Sequence, residues 1–131
     1  MLKEFHQQLS IDCEDIYTDL IDGIISDLLK LFPYRAIPKG NTDCEDFVDY
    51  LGKAVYNGND SLKVMPEINY EAGQFSRKAV SDLTDEERFI INVYFAEFKG
   101  YLPTDEDIHV AIMSYLDSVL YDMGRKVMLG E

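Results

Sequence analysis

An all-α fold follows from three features of this 131-residue sequence. Acid-rich phrases that read as helix starts occur four times, at Asp12-Cys13-Glu14-Asp15, Thr42-Asp43-Cys44-Glu45, Thr84-Asp85-Glu86-Glu87 and Thr104-Asp105-Glu106-Asp107. Each is followed by apolar residues recurring every three or four positions, the period of an amphipathic helix. The four prolines, at 33, 38, 66 and 103, fall between these stretches rather than within them. The predicted architecture is a compact bundle of four main helices plus a short helix, with one irregular central loop, in a single domain spanning 1–131.

The first helix is expected to begin at Asp12, with Glu14 and Asp15 in a first turn favoured by the helix macrodipole. Its stripe runs Ile16, Leu20, Ile24, Leu28 and Leu31, widened by Ile21, Ile25 and Phe32, and Pro33 and Pro38 close it. A second helix starts after Thr42, where Thr-x-x-Glu spells a capping box. Phe47, Val48, Leu51, Ala54 and Val55 form its apolar side, and Asn57-Gly58 ends it. Residues 57–73 contain Asn57, Gly58, Asn59, Asp60, Pro66 and Gly73, so an irregular segment is expected there, with Leu62 to Met65 able to pair briefly as a strand.

A short helix over Gln74–Leu83 uses Phe75, Ala79 and Leu83. The Thr84 box opens an aromatic-rich helix carrying Phe89, Ile90, Val93, Tyr94, Phe95 and Phe98, stopped near Gly100. The Thr104 box, preceded by Pro103, opens the last helix, whose stripe reads Ile108, Ile112, Tyr115, Val119 and Met123, with Gly124 as a C-cap or kink.

The phrase Asp-Cys-Glu-Asp occurs twice, at 12–15 and 43–46, and invites a metal or redox reading. A structural zinc site wants four ligands, and the chain has only two Cys and two scattered His. The acids also lack the spacing and central glycine of a calcium loop. Both copies are therefore read as helix punctuation, and no metal or other cofactor is expected.

With 25 acidic residues against 12 Lys plus Arg, the net charge is −13. That sign argues against direct nucleic acid or anionic membrane binding and favours a basic protein surface as partner. No run approaches the length of a membrane span, the N-terminal residues do not read as a secretory signal, and the two cysteines suit a reducing compartment. A cytoplasmic protein is expected. Phosphate loops and nucleophile elbows are absent. His6 falls in a terminus expected to fray, His109 flanks the last stripe, and Cys13 and Cys44 each sit between acids that oppose thiolate formation. The chain is not expected to be an enzyme.

The first helix has one further regularity. Asp12, Asp15, Asp19 and Asp22 recur at spacings of three and four, which places them on one narrow arc opposite the Leu20/Ile24 side. Such a row could stand in for DNA phosphates and occupy a basic groove, or be a solvated outer face.

From Phe47 onward the chain resembles the AsiA-type anti-sigma proteins of bacteriophage, which are small, acidic and helical. The stretches that carry the likeness are DFVDYLGKAV and FSRKAVSDLTDEE with the run reaching Phe95 and Glu97. Phe47, Val48, Leu51, Phe75, Arg77, Lys78, Val80, Ser81, Leu83, Thr84 and Glu86 match, and Ile24–Phe32 is similar to the family's apolar first helix. The likeness covers about half the chain. Ser76 stands between Phe75 and Arg77 as an extra residue, the central loop is longer, and a whole helix follows Pro103.

The resemblance implies an inhibitor that binds the basic, helical promoter-recognising region of a primary sigma factor through its first helix. Partner-binding residues are then Asp12, Asp15, Asp19 and Asp22 with the apolar end at Ile25, Leu29 and Phe32. The alternative is a DNA mimic that blocks a nucleic-acid-binding defence protein such as a restriction nuclease. An immunity protein against a toxin fits the same features.

Overall fold

The computed structural model describes residues 2–31, 47–64 and 66–130, with Val48 and Val64 described in backbone only. These residues form six helices and no strand: α1 Leu2–Leu31, α2 Phe47–Tyr56, α3 Ser61–Val64, α4 Pro66–Ser81, α5 Asp85–Phe98 and α6 Asp105–Leu129. The fold is all-α. The closing of the first helix at Pro33, the Thr42 cap and the second Asp-Cys-Glu-Asp copy lie outside the described residues.

Helix α1 begins at Leu2, ten residues before the expected Asp12. The first Asp-Cys-Glu-Asp copy is thus interior helix, not a start. Two local facts explain this. Ile11 rather than threonine precedes the phrase, so no hydroxyl stands ready to cap it. Moreover, Leu9, Cys13 and Ile16 are buried at spacings of four and three, which carries the apolar stripe back towards the N-terminus. His6 is not frayed either: its Nε2 lies 3.3 Å from Glu97 Oε2, and its ring meets Phe98 edge-on at 5.5 Å.

The other two starts behave as their sequences predict. At Thr84 the hydroxyl accepts from Glu87 N (3.1 Å) while Glu87 Oε1 accepts from Thr84 N (2.9 Å). Thr104 and Asp107 make the same reciprocal pair at 3.2 and 2.9 Å. Between them Gly100 adopts φ +83°, a left-handed conformation that ends α5 with its N–H on Phe95 O.

The expected irregular centre is mostly helical. α3 and α4 cover Ser61–Val64 and Pro66–Ser81, and no strand forms at Leu62. Pro66 is the first residue of α4, where its missing N–H would be unsatisfied in any case. Gly73 is tolerated inside α4 because Ile68, Ala72, Ser76 and Val80 supply a buried four-residue repeat on either side of it. The short helix expected from Gln74 therefore begins eight residues earlier. Asp117 of α6 reaches across to this region, its Oδ1 accepting from Leu62 N at 3.0 Å and so capping α3. Asp117→Ala is expected to cost about 0.5–2 kcal/mol in urea denaturation, with Asp117→Asn retaining most of the stability because its amide oxygen can still accept.

A shared core draws residues from all six helices. Along α6 it takes Ile108, Ile112, Leu116 and Leu120, each fully buried. The expected stripe departs from this after Ile112: Tyr115, Val119 and Met123 are only its partly buried margin. In α5 the core takes Ile91 and Phe95, while Val93 is half-buried and Phe89 is exposed. In α1 it takes Cys13, Ile16, Tyr17, Ile21, Ile24 and Leu28, with Leu20 at its edge.

Gly124 is not a C-cap, since α6 runs on to Leu129 and is capped by Gly130. Gly124 lies buried inside α6 at the point where α2 crosses, and the place a Cβ would occupy is 2.8 Å from Leu51 O. Gly52 of α2 faces Val127 in the same crossing. The two glycines let the helix backbones approach closely.

Candidate functional site

The outward face of α1 presents the aspartate row. Helix geometry spreads positions 12, 15, 19 and 22 over an arc of about 80°. Asp15, Asp19 and Asp22 are exposed, and among the described residues none of them is paired with a cation. Asp12 is half-buried at one edge of the arc and accepts from Gln8 Nε2 at 2.8 Å. Toward the C-terminal end, Leu29 stands 45% exposed beside the same arc. Ile25 is half-buried and packed against the core, which removes much of its side chain from any partner. Phe32 lies outside the described residues.

The acidic face continues beyond α1. A groove of about 340 Å³ runs between α1 and α4, with Asp19, Gly23 and Asp27 on one wall and Lys78 and Asp82 on the other, closed by Glu87 of α5. Nothing approaches the Cβ position of Gly23 within 4 Å, so the groove is open there. Among the described residues, four carboxylates against one lysine make its lining strongly acidic, and the sign agrees with the −13 of the whole chain. Sequence reading missed Asp27, Asp82 and Glu87. The signal for Asp27 was present, since 19, 23 and 27 form one line at four-residue spacing.

Two arginines are engaged by the first turn of α6. Arg77 Nη1 is 2.9 Å from Glu106 Oε2, and Arg88 Nη2 is 2.5 Å from Asp105 Oδ1. Arg77 therefore ties α4 to α6, whereas Lys78 lines the acidic groove. Ser76 is fully buried, and its hydroxyl lies 2.9 Å from His109 Nδ1. This contact ties α4 to α6.

Burial, and then the positive charge of Arg77, hold His109 below the ordinary histidine pKa; Glu106 opposes this. Because the folded value is lowered, the unfolded chain takes up the proton first. The stability contribution is therefore complete above pH 6.5 and is lost as pH falls through the lower, folded value. His109→Gln is expected to flatten the stability profile in that window, as followed by thermal melts across pH.

A second depression lies on a different side of α1, between α1, α5 and α6. It has a volume of about 410 Å³ and contains Cys13, Glu14, Tyr17, Tyr94, Ala111 and Tyr115 among its walls. Burial pushes the Cys13 thiol up to about 11, with a smaller opposing influence from Tyr17, so the thiol is protonated at neutral pH. Its setting is a buried helix interior rather than the acid-flanked first turn expected from sequence. The Tyr17 hydroxyl lies close enough to Cys13 to influence its ionisation, yet makes no hydrogen bond of acceptable geometry.

Among the described residues no group of three or more His, Cys, Asp or Glu side chains is placed to hold a metal ion, and no helix is long and apolar enough to cross a membrane. No protein-family model, curated protein or solved structure matches the chain.

Proposed function

We propose that this protein is a small regulator that binds a basic protein surface through the outward face of α1 and the groove beside it. One observation carries the reading. Asp15, Asp19 and Asp22 stand exposed and, among the described residues, without cationic partners, and the row runs on into a groove walled by Asp27, Asp82 and Glu87. Carboxylates gathered on one side of a chain of charge −13 attract a cationic partner from a distance and select its orientation. Leu29, exposed at the end of the row, offers an apolar anchor within the same face.

The most specific form of this reading is an anti-sigma-like transcription regulator, acting in the cytoplasm on a basic helical region of a sigma factor. It is supported by the resemblance over about half the chain, from Phe47 to Glu97 with Ile24–Phe32, and by the acidic sign of the face, which suits such a target. A DNA mimic is the second reading, favoured by the regular spacing of carboxylates along an unbroken 30-residue helix. Both engage protein, and neither needs a cofactor.

The experiment is capture of partners from bacterial lysate with the full chain as bait, identification by mass spectrometry, and titration of the purified pair against salt. A basic partner is expected, with affinity falling as ionic strength rises past about 0.15 M, where the Debye length is near 8 Å. An acidic partner, or binding indifferent to salt, would exclude the acidic face as the interface.

A further inference from the structure

The cleft between α1, α5 and α6 has features that the binding face does not explain. Three tyrosines, Tyr17, Tyr94 and Tyr115, contribute to its walls. Two of the rings are neighbours, with Tyr17 and Tyr115 centred 6.2 Å apart and tilted by 35°. Their positions are held from outside the cleft. The Tyr115 hydroxyl shares a hydrogen bond with Thr18 Oγ1 at 3.2 Å, and the Tyr94 ring packs on Phe98 at 4.8 Å. The walls are thus preorganised aromatic surface.

Tyr17 is the second, independent feature. It is only 9% exposed, and its hydroxyl has no hydrogen-bond partner among the described residues. Buried hydroxyls are nearly always paired, so an orphan in the wall of a cleft marks a place where a ligand can complete the structure. The charge of the lining narrows the ligand class. Among the described residues Glu14, which is exposed, is the one ionised side chain in the lining, and no cationic residue contributes to it. The cleft therefore repels anions and favours a positive group, as does the net charge of the chain.

We propose that this cleft binds a small organic ammonium ion with a ring or alkyl body. The body lies against the tyrosine faces, where a cation is attracted by the ring quadrupoles. The ammonium N–H groups donate to the Tyr17 hydroxyl oxygen, and the Glu14 carboxylate supplies the countercharge. A volume of about 410 Å³ falls within the ordinary range for small-molecule sites. Burial holds the Tyr17 phenol far above its usual pKa, so its oxygen stays a neutral acceptor, and the protonated Cys13 thiol adds no competing charge. The inference does not depend on the protein partner, because the cleft opens on another side of α1.

The test is calorimetric titration of the full chain with phenethylammonium chloride and, separately, with phenylethyl alcohol, its neutral counterpart of nearly the same shape. Amide chemical-shift mapping locates the bound species. The amine is expected to bind with shifts centred on Tyr17, Ala111 and Tyr115, about tenfold more tightly than the alcohol. Glu14→Gln should erase most of that preference. Tyr17→Phe, which removes an unpaired hydroxyl and so keeps the fold, should weaken amine binding about three- to tenfold. Equal affinity for amine and alcohol would overturn the proposal, as would no detectable binding or shifts confined to the acidic groove between α1 and α4. A Tyr17→Phe variant that binds the amine unchanged would overturn the role given to its hydroxyl.

Discussion

Gly124→Ala is expected to lower the unfolding free energy by about 1–3 kcal/mol, although alanine is the better helix former by about 1 kcal/mol. The reason lies across the α2–α6 crossing. A Cβ on Gly124 would come within 2.8 Å of Leu51 O and closer still to Val55 Cγ2. A side chain can rotate away, but the Leu51 carbonyl belongs to the backbone of α2 and moves only with that helix. Parting the helices would loosen Leu51 and Phe47, both essentially fully buried.

Two other helical glycines serve as internal controls. At Gly52 the close neighbour is Val127 Cγ1 at 2.8 Å, a side chain that can adjust, so Gly52→Ala should cost less. At Gly23 nothing lies within 4 Å, and alanine should stabilise by roughly 0.5–1 kcal/mol through helix propensity alone. Urea denaturation of the three variants checks the order. Gly124→Ala as stable as the parent would mean that α2 does not cross α6 at this point.

That crossing also shows where sequence reading loses its grip. Helix starts at Thr84 and Thr104 were legible because a capping box is local chemistry, settled by four residues whatever the rest of the chain does. The start of α1 was not legible. Its acidic phrase resembles a first turn, but the helix is held by Cys13 and Ile16 docking on the core, with Leu9 buried one turn before them, a tertiary fact. Gly124 was ambiguous for the same reason. A glycine near a helix end reads as a cap unless one knows that another backbone passes beside it. Pro66 and Gly73 likewise suggested an irregular centre, and the buried repeat Ile68, Ala72, Ser76, Val80 overrode them. In α6, spacings of three and of four both fit the early residues. Packing selected Leu116 and Leu120 over Tyr115 and Val119, and so left the tyrosine at the margin, in the wall of the cleft.

The site divides in the same way. The row at positions 15, 19 and 22 follows from helix periodicity, and its exposure agrees with that reading. Asp12 and Ile25 belong to its edges, because an arc that wide meets the packed sides of α1. The groove residues Asp82 and Glu87 come from α4–α5, and only the fold brings them beside Asp19. Sequence periodicity sees one helix at a time, so an acidic surface built by three helices was out of its reach.

The charge row itself yields the prediction with the largest effect on function. Changing Asp12, Asp15, Asp19 and Asp22 together to Asn keeps side-chain size and removes four charges. In a DNA mimic those charges replace phosphates and carry the affinity, so the variant is expected to lose inhibition of its nucleic-acid-binding target. In an anti-sigma-like regulator the anchor is apolar and the charges chiefly speed encounter. The Asn variant should then bind with a slower association rate that no longer responds to salt, and retain most of its affinity. Leu29→Ala gives the opposite pattern. Leu29 is 45% exposed, so its truncation leaves the core intact, yet as an anchor it should raise the dissociation rate and cost about 1–2 kcal/mol of binding.

Circular dichroism on each variant separates lost binding from lost helix. Because Asp12 and Asp15 sit inside α1 rather than at its start, their replacement removes no cap, and little loss of helicity is expected. Surface plasmon resonance against the captured partner reads both rates. If both folded variants bind as the parent does, the outward face of α1 is not the interface, and neither reading of it stands.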